Sequence, residues 1–417
     1  MVLGLARSGL AVALALRARG EEVIGCDAGT STDPSLAEAA RRLSAAGVEV
    51  QLDASGVALA ARAGTLIKSP GVPQSAPLVV DARRRGVPVL GELEVAWRLL
   101  ENEFVAVTGT NGKTTTTEWI GHIHREAGLP VAVAGNVGTA TSTLIGRLEP
   151  DATVVCEASS FQLEDTEAFA PEAAVLLNLE PDHLDRHGSM EAYTAAKLRI
   201  FANQRREDVV VIPPGGMSVS TPARVIRYGE GPERELASEI LLPGEHNVQN
   251  AMAAAATCLA RGISRDAVAL GLRTFTGVAH RLERIAEIDG VRWVNDSKAT
   301  NVASTIVALR SFGEGIHLIA GGRGKRQDFS PLVPLVRERC AAVYLIGEAS
   351  GGLAAVLDET GVALCRAGDL EHAVARAREH AVPGDTVLLS PACASHDQYR
   401  DFEARGEHFR ALVEGLE

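Results

Sequence analysis

Residues 104 to 117 read Phe-Val-Ala-Val-Thr-Gly-Thr-Asn-Gly-Lys-Thr-Thr-Thr-Thr. An apolar run of strand character breaks into small and glycine residues, then delivers Gly112-Lys113-Thr114 to the start of a helix. This is the layout of a phosphate-binding loop. Successive backbone N–H groups and a helix N-terminus wrap phosphate, the Lys113 ammonium reaches the β/γ oxygens, and the Thr114 hydroxyl is placed for Mg²⁺. The generic spacing would put the leading glycine at Val107; here Gly109 makes the shorter Gly-Thr-Asn-Gly-Lys-Thr. A plain strand–turn–helix is the bland alternative. A lysine followed by four threonines is poor helix filler without a ligand, and that argues against it.

The 417 residues leave room for two to four domains, and 46% apolar content marks a globular chain. Lysine and arginine total 41 against 53 acidic residues, a net charge of 41 − 53 = −12, which speaks against a nucleic-acid surface. The six cysteines (Cys26, Cys156, Cys258, Cys340, Cys365, Cys393) form no C-x-x-C pair and read as reduced thiols. No apolar run approaches a membrane span, and the N-terminus lacks a signal peptide's basic head and long apolar core. A cytoplasmic protein with no membrane insertion is expected.

The first stretch, residues 1–92, reads as a small α/β unit. Met1-Val2-Leu3 is a strand stub, Gly4-Leu5-Ala6-Arg7-Ser8-Gly9 opens a helix, and Glu22-Val23-Ile24-Gly25-Cys26 ends at Asp27. Glycines before a helix and an acid closing the next strand imitate a dinucleotide fingerprint, but Ala6 stands where its middle glycine belongs. A generic nucleotide-diphosphate pocket is therefore at least as good a reading as NAD. Leu66-Ile67-Lys68 then runs into a Ser69-Pro70-Gly71 turn.

Residues 93–278 carry the phosphate loop followed by short apolar runs ending at Asn136, Glu157 and, six residues past a fourth run, His183. Runs without polar alternation indicate a parallel sheet buried on both faces, and such sheets bind ligands at the carboxyl ends of their strands. These residues should therefore gather near Lys113. Glu157 and His183 suit Mg²⁺, the imidazole being the less usual ligand. Met190–Phe201 is a good helix carrying Lys197, and Gly244-Glu245-His246-Asn247-Val248-Gln249-Asn250 leads into another. In residues 279–417 strands and helices alternate again. The segments Ala279-His280-Arg281-Leu282-Glu283, Asn295-Asp296-Ser297-Lys298-Ala299-Thr300-Asn301, Gly321-Gly322-Arg323-Gly324-Lys325 and Ser390-Pro391-Ala392-Cys393-Ala394-Ser395 punctuate a doubly wound unit.

The six-residue loop and these segments, in this order over essentially the whole chain, resemble the Mur ligases, which with the folylpolyglutamate synthases form amide bonds using ATP. The resemblance implies a three-domain α/β protein. A small Rossmann-like domain binds the UDP substrate, a central P-loop domain binds ATP, and a C-terminal Rossmann-like domain binds the amino acid. The Asn-Asp-Ser-Lys-Ala-Thr-Asn and Ser-Pro-Ala-Cys-Ala-Ser strings look like the D-glutamate-adding branch. The Asp-Tyr-x-His and Ala-His-Asn strings of its sister enzymes do not occur here.

Carried over residue by residue, the resemblance places Ser8, Asp27, Ser69, Pro70 and Gly71 against the UDP moiety. Gly109, Thr110, Asn111, Gly112, Lys113, Thr114, Thr115, Asn250, Arg281 and Asp296 fall on ATP. Thr114, Glu157, His183 and Lys197 fall on two Mg²⁺ ions, Lys197 as a carbamate formed with CO₂. Lys113, Asn136, His183 and Lys197 are the implied catalytic set, and Thr300, Lys325, Ser395, His396 and Phe402 the D-glutamate set. His396 stands at a position usually apolar in the family and would add a titrating group there. The implied activity is ATP-dependent ligation of D-glutamate to UDP-MurNAc-L-Ala through an acyl phosphate, by a monomer whose third domain closes on its substrates. An NAD-dependent oxidoreductase would leave the phosphate loop unexplained. A non-catalytic nucleotide-binding regulator would be expected to lack Lys113, Glu157, His183 or Lys197, all of which are present.

Overall fold

A computed structural model describes residues 1–417 apart from 137, 216–217, 243, 325–326 and 417, and leaves out the side chain of Asp185. The described residues form three sheets in two compact units, Met1–Phe275 and Thr276–Glu417. The expected boundary at residue 279 thus falls three residues beyond this division.

In the first unit, β1 (Val2–Leu3), β2 (Ile24–Cys26), β3 (Glu49–Gln51), β4 (Leu66–Lys68) and β5 (Val89–Gly91) pair in parallel, in the order β3-β2-β1-β4-β5. The order reverses between β1 and β4. In an open α/β sheet the crevice for a ligand lies there, outside the carboxyl ends. β1 ends at Leu3, where Gly4, at a positive φ of 85°, turns the chain out of the sheet.

The same unit holds β6 (Phe104–Thr108), β7 (Val131–Gly135), β8 (Thr153–Glu157), β9 (Ala173–Leu176), β10 (Val209–Ile212) and β11 (Arg224–Arg227), all parallel, in the order β11-β10-β9-β6-β8-β7. Every residue of β6, β9 and β10 is buried, as their unbroken apolar runs require. The switch point falls between β6 and β9. The loop after β6 is the glycine-rich one, and the chain leaving β9 at Leu177-Asn178 lies against it. His183 accordingly stands seven residues beyond the end of β9, not six, because the strand ends at Leu176 and not at Leu177.

The second unit holds β12 (Glu283–Ile288), β13 (Val291–Asn295), β14 (Ile316–Gly321), β15 (Cys340–Ile346), β16 (Ala363–Gly368) and β17 (Thr386–Leu389), in the order β12-β13-β17-β14-β15-β16. The β12–β13 pair is antiparallel, joined by the tight Asp289-Gly290 turn, and the other strand pairs described are parallel. Aliphatic side chains from both faces of this sheet form two core clusters, one around Leu318, Val343 and Leu388 and the other around Trp293, Tyr344 and Phe409. All six cysteines are free thiols, four of them buried. Among the described residues, no helix is long and apolar enough to cross a membrane.

Candidate active site

The helix Lys113–Glu126 begins at Gly112, whose φ is 83°. A Cβ there would sit 2.2 Å from Oδ1 of Asn250, so glycine is required both by the backbone and by the neighbour. Asn250 lies in the helix Glu245–Ala260 and is buried. The Gly244–Asn250 segment, expected to lead into that helix, already lies within it from Glu245 on, and the helix brings Asn250 against the turn of the loop.

Three side chains from β9 and beyond hold the loop open. Asn178 Oδ1 accepts the N–H groups of Thr110 (3.0 Å) and Asn111 (2.8 Å), while its Nδ2 donates to the Asn111 carbonyl at 3.1 Å. Asn111 Nδ2 donates to Glu180 Oε2 at 2.9 Å, and the hydroxyls of Thr110 and Tyr193 meet at 3.0 Å. Neither Asn178 nor Tyr193 was singled out from the sequence. Asn178 was within reach, since it follows a buried strand at the ligand edge; nothing local marks Tyr193.

Glu157 ends β8 and is 4% exposed. Its Oε2 accepts the Thr114 hydroxyl at 2.7 Å and its Oε1 accepts Asn136 Nδ2 at 3.1 Å. The Asn136 backbone N–H also donates to the Glu157 carbonyl, at 2.9 Å. Hydroxyl and carboxylate oxygens are the ligands Mg²⁺ takes. Among the described residues no three His, Cys, Asp or Glu side chains gather to hold a metal.

Lys197, from the helix Met190–Leu198, is 2% exposed. Its amine donates to the Gly109 carbonyl at 2.7 Å and lies 4.6 Å over the Tyr193 ring. Burial, reinforced by the nearby charge of Lys113, lowers its pKa to about 7. The amine is thus substantially neutral near physiological pH, an unusual state for lysine. Lys113 curls back on its own loop, donating to the carbonyls of Gly109 and Thr110 at 2.9 and 2.8 Å. Thr115 is buried in the first helical turn. His183 adopts a left-handed φ of 51°, and its half-exposed ring packs 4.8 Å from that of Phe161.

Beside this crevice lies an open cleft of about 310 Å³, lined by Gly4, Ser8, Asp27, the turn Ser69–Val72, Asn136 and Gln162. The five residues proposed for the UDP moiety thus share one cleft with Asn136 of the phosphate-loop sheet. Asp27 fixes its rim: its two oxygens accept the N–H groups of Leu5 (2.7 Å) and Gly29 (2.8 Å). The Ser69 hydroxyl donates to the Gly4 carbonyl at 2.7 Å.

The second unit has its own polar centre at the carboxyl ends of β13 and β17. Asp296 is buried; its Oδ2 accepts the Ser390 hydroxyl at 2.7 Å and its Oδ1 the Leu282 N–H at 3.2 Å. Burial pushes its pKa up to about 7, against the pull of the Ser390 hydrogen bond. Arg281 is only partly buried, between His280 and Leu282, both at positive φ. Ser395 is buried, Thr300 and Phe402 are partly buried, and Phe402 meets the His280 ring edge-on at 6.3 Å. His396 is exposed, with Nδ1 2.9 Å from the Arg400 carbonyl. Lys325 lies outside the described residues. Sequence reading missed Arg405, an arginine in a polar helix that looks solvated but is 1% exposed. Its guanidinium donates to the Ser297 hydroxyl (2.9 Å) and carbonyl (2.8 Å) and to the Cys393 carbonyl (3.2 Å), tying two of the family-like strings together.

Comparison with known proteins places this geometry. The Mur ligase middle domain matches residues 107–229, and the Mur ligase glutamate ligase domain matches residues 280–393. A protein of Pelotomaculum thermopropionicum named UDP-N-acetylmuramoylalanine--D-glutamate ligase is 42% identical over 444 residues, covering 100% of this chain and 97% of that one. A namesake from Acidobacterium capsulatum is also 42% identical, covering 99% and 95%. The crystal structure of UDP-N-acetylmuramate-alanine ligase MurC from Thermotoga maritima shares the fold, with a TM-score of 0.57 at 21% identity over 100% of this chain and 99% of that one. At 42% identity along its full length to such relatives, the chain belongs to the Mur ligase family.

Proposed function

We propose that the protein joins D-glutamate to UDP-N-acetylmuramoyl-L-alanine with cleavage of ATP to ADP and phosphate, as a cytoplasmic monomer in the synthesis of peptidoglycan precursors. The observation that carries this reading is the meeting of two sites in the first unit. Asn136 lines the cleft and also donates to Glu157, which accepts the phosphate-loop hydroxyl of Thr114. A carboxylate brought down the cleft therefore arrives beside the γ-phosphate position.

A free carboxylate is a poor electrophile. Transfer of the γ-phosphoryl group to the alanyl carboxylate oxygen gives an acyl phosphate and ADP. The D-glutamate amine then adds to the carbonyl carbon, loses a proton, and the tetrahedral adduct expels inorganic phosphate. Gly109, Thr110, Asn111, Gly112 and Thr115 wrap the triphosphate, and Lys113 leaves its loop carbonyls to neutralise charge on the transferring group. Mg²⁺ supplies further neutralisation when bound, and Thr114 and Glu157 would hold it. Asn136 and His183 orient the acceptor carboxylate. Lys197, with its neutral amine, is suited to add to CO₂, losing a proton and becoming a carbamate that with His183 serves a second ion. Asn250, Arg281 and Asp296 are assigned to ATP. Thr300, Lys325, Ser395, His396 and Phe402 are assigned to D-glutamate, and Ser8, Asp27, Ser69, Pro70 and Gly71 to UDP.

The test is phosphate release from ATP with UDP-N-acetylmuramoyl-L-alanine, comparing D-glutamate with L-glutamate, L-alanine and diaminopimelate. Release that depends on D-glutamate supports the proposal; release with another amino acid moves the protein to a sister activity.

A further inference from the structure

Two cations hold the carbonyls of the Ser69–Val72 turn. Lys68, buried, donates to the Val72 carbonyl at 2.8 Å and pairs with the equally buried Asp165 at 2.7 Å. From the other sheet, Arg186 donates through Nη2 to the carbonyls of Pro70 (2.6 Å) and Val72 (2.9 Å), and through Nη1 to that of Gly71 (3.4 Å). One planar fork thus takes three carbonyls of a single turn. Among the described residues Arg186 forms no carboxylate pair, and its buried Nε has no partner.

The guanidinium carbon lies 3.9 Å over the Phe161 ring, whose centroid is 4.8 Å from that of His183. Arg186 also belongs to the one-turn helix Leu184–His187 that His183 caps. The cleft turn, Phe161 and the His183 turn are therefore joined through one side chain. Lysine could not replace it, since a point charge lacks both the fork and the flat face.

We propose that Arg186 is a positioning residue for the UDP-bearing substrate. It ties the turn proposed to meet the nucleotide end to the turn carrying His183, proposed to meet the carboxylate end, and so keeps both ends of one ligand in register. The proposal rests on the functional reading above.

Calorimetric titration of wild type, Arg186→Ala and Arg186→Lys with UDP-N-acetylmuramoyl-L-alanine, and separately with ADP, tests it. Loss of three charge-assisted hydrogen bonds should weaken the UDP ligand roughly tenfold or more in Arg186→Ala. ADP affinity should stay within about twofold, because the phosphate loop is braced by Asn178 instead. Arg186→Lys should recover only part of the loss and carries the same comparison if the alanine variant fails to fold. Equal weakening of both ligands, or unchanged affinity for the UDP ligand, overturns the inference and leaves the ligase reading intact. A wild type that does not bind the UDP ligand overturns both.

Discussion

The amines of Lys113 and Lys197 converge on one acceptor, the carbonyl oxygen of Gly109, at 2.9 and 2.7 Å. Two ammonium groups sharing one carbonyl repel each other, and the buried member yields. Burial is the main reason Lys197 gives up its proton, and the charge of Lys113, 84 positions earlier in the chain, adds to it.

The first prediction concerns Lys197. Its pKa of about 7 lies below the ordinary 10.5, so between those values the unfolded chain binds the extra proton and stability rises with pH. Lys197→Met should raise the melting temperature at pH 7 more than at pH 10, while abolishing turnover. With ¹³C-bicarbonate, a carbamate signal from the wild type should grow in near pH 7 and be absent from the variant. A signal appearing only near pH 10 would contradict the lowered pKa.

Asn178 should matter through the loop alone. Its side chain makes three hydrogen bonds to Thr110 and Asn111, each worth about 1 kcal/mol net. Lost together they come to about 3 kcal/mol, so Asn178→Ala should raise KM for ATP by up to roughly a hundredfold and leave KM for D-glutamate near wild type. Asn178→Asp keeps both acceptor bonds yet adds negative charge beside the triphosphate. It should therefore bind ATP worse than Asn178→Ala at low salt and recover as salt screens the repulsion.

Gly112→Ala places a methyl group 2.2 Å from Asn250 Oδ1 at a φ of 83°. A cost of about 1–3 kcal/mol is expected. Shortening the neighbour in Gly112→Ala/Asn250→Ala should restore part of it, since the clash goes and the backbone strain stays. Chemical denaturation of the two variants checks this, and strict additivity would count against the contact.

For Asp296 the sign is opposite to that of Lys197. Its folded pKa of about 7 lies above the ordinary 3.8, so the folded state holds the extra proton across that window and stability falls as pH rises through it. Asp296→Asn should stabilise the protein more at pH 8 than at pH 4, and should lose activity if the carboxylate serves ATP. Thermal melts at the two pH values, paired with turnover, separate the effects.

The kinds of element and the edge where ligands gather follow from the order of residues along the chain. Unbroken apolar runs such as the one opening at Phe104 read as strands buried on both faces, and a glycine-rich turn before Lys113 meets an anion where such strands end. Lys113, Thr114, Asn136 and Glu157 were legible for that reason, each lying within a few residues of a strand's carboxyl end.

Which distant residues brace them follows from packing in the folded protein. Asn178, Tyr193, Arg186 and Arg405 act across sheet neighbours or from another helix, and strand order is fixed by packing rather than by local periodicity. Burial decided the rest. Lys197 and Asp296 look like ordinary charges in the chain, and it is desolvation in the folded protein that moves both toward neutral pH.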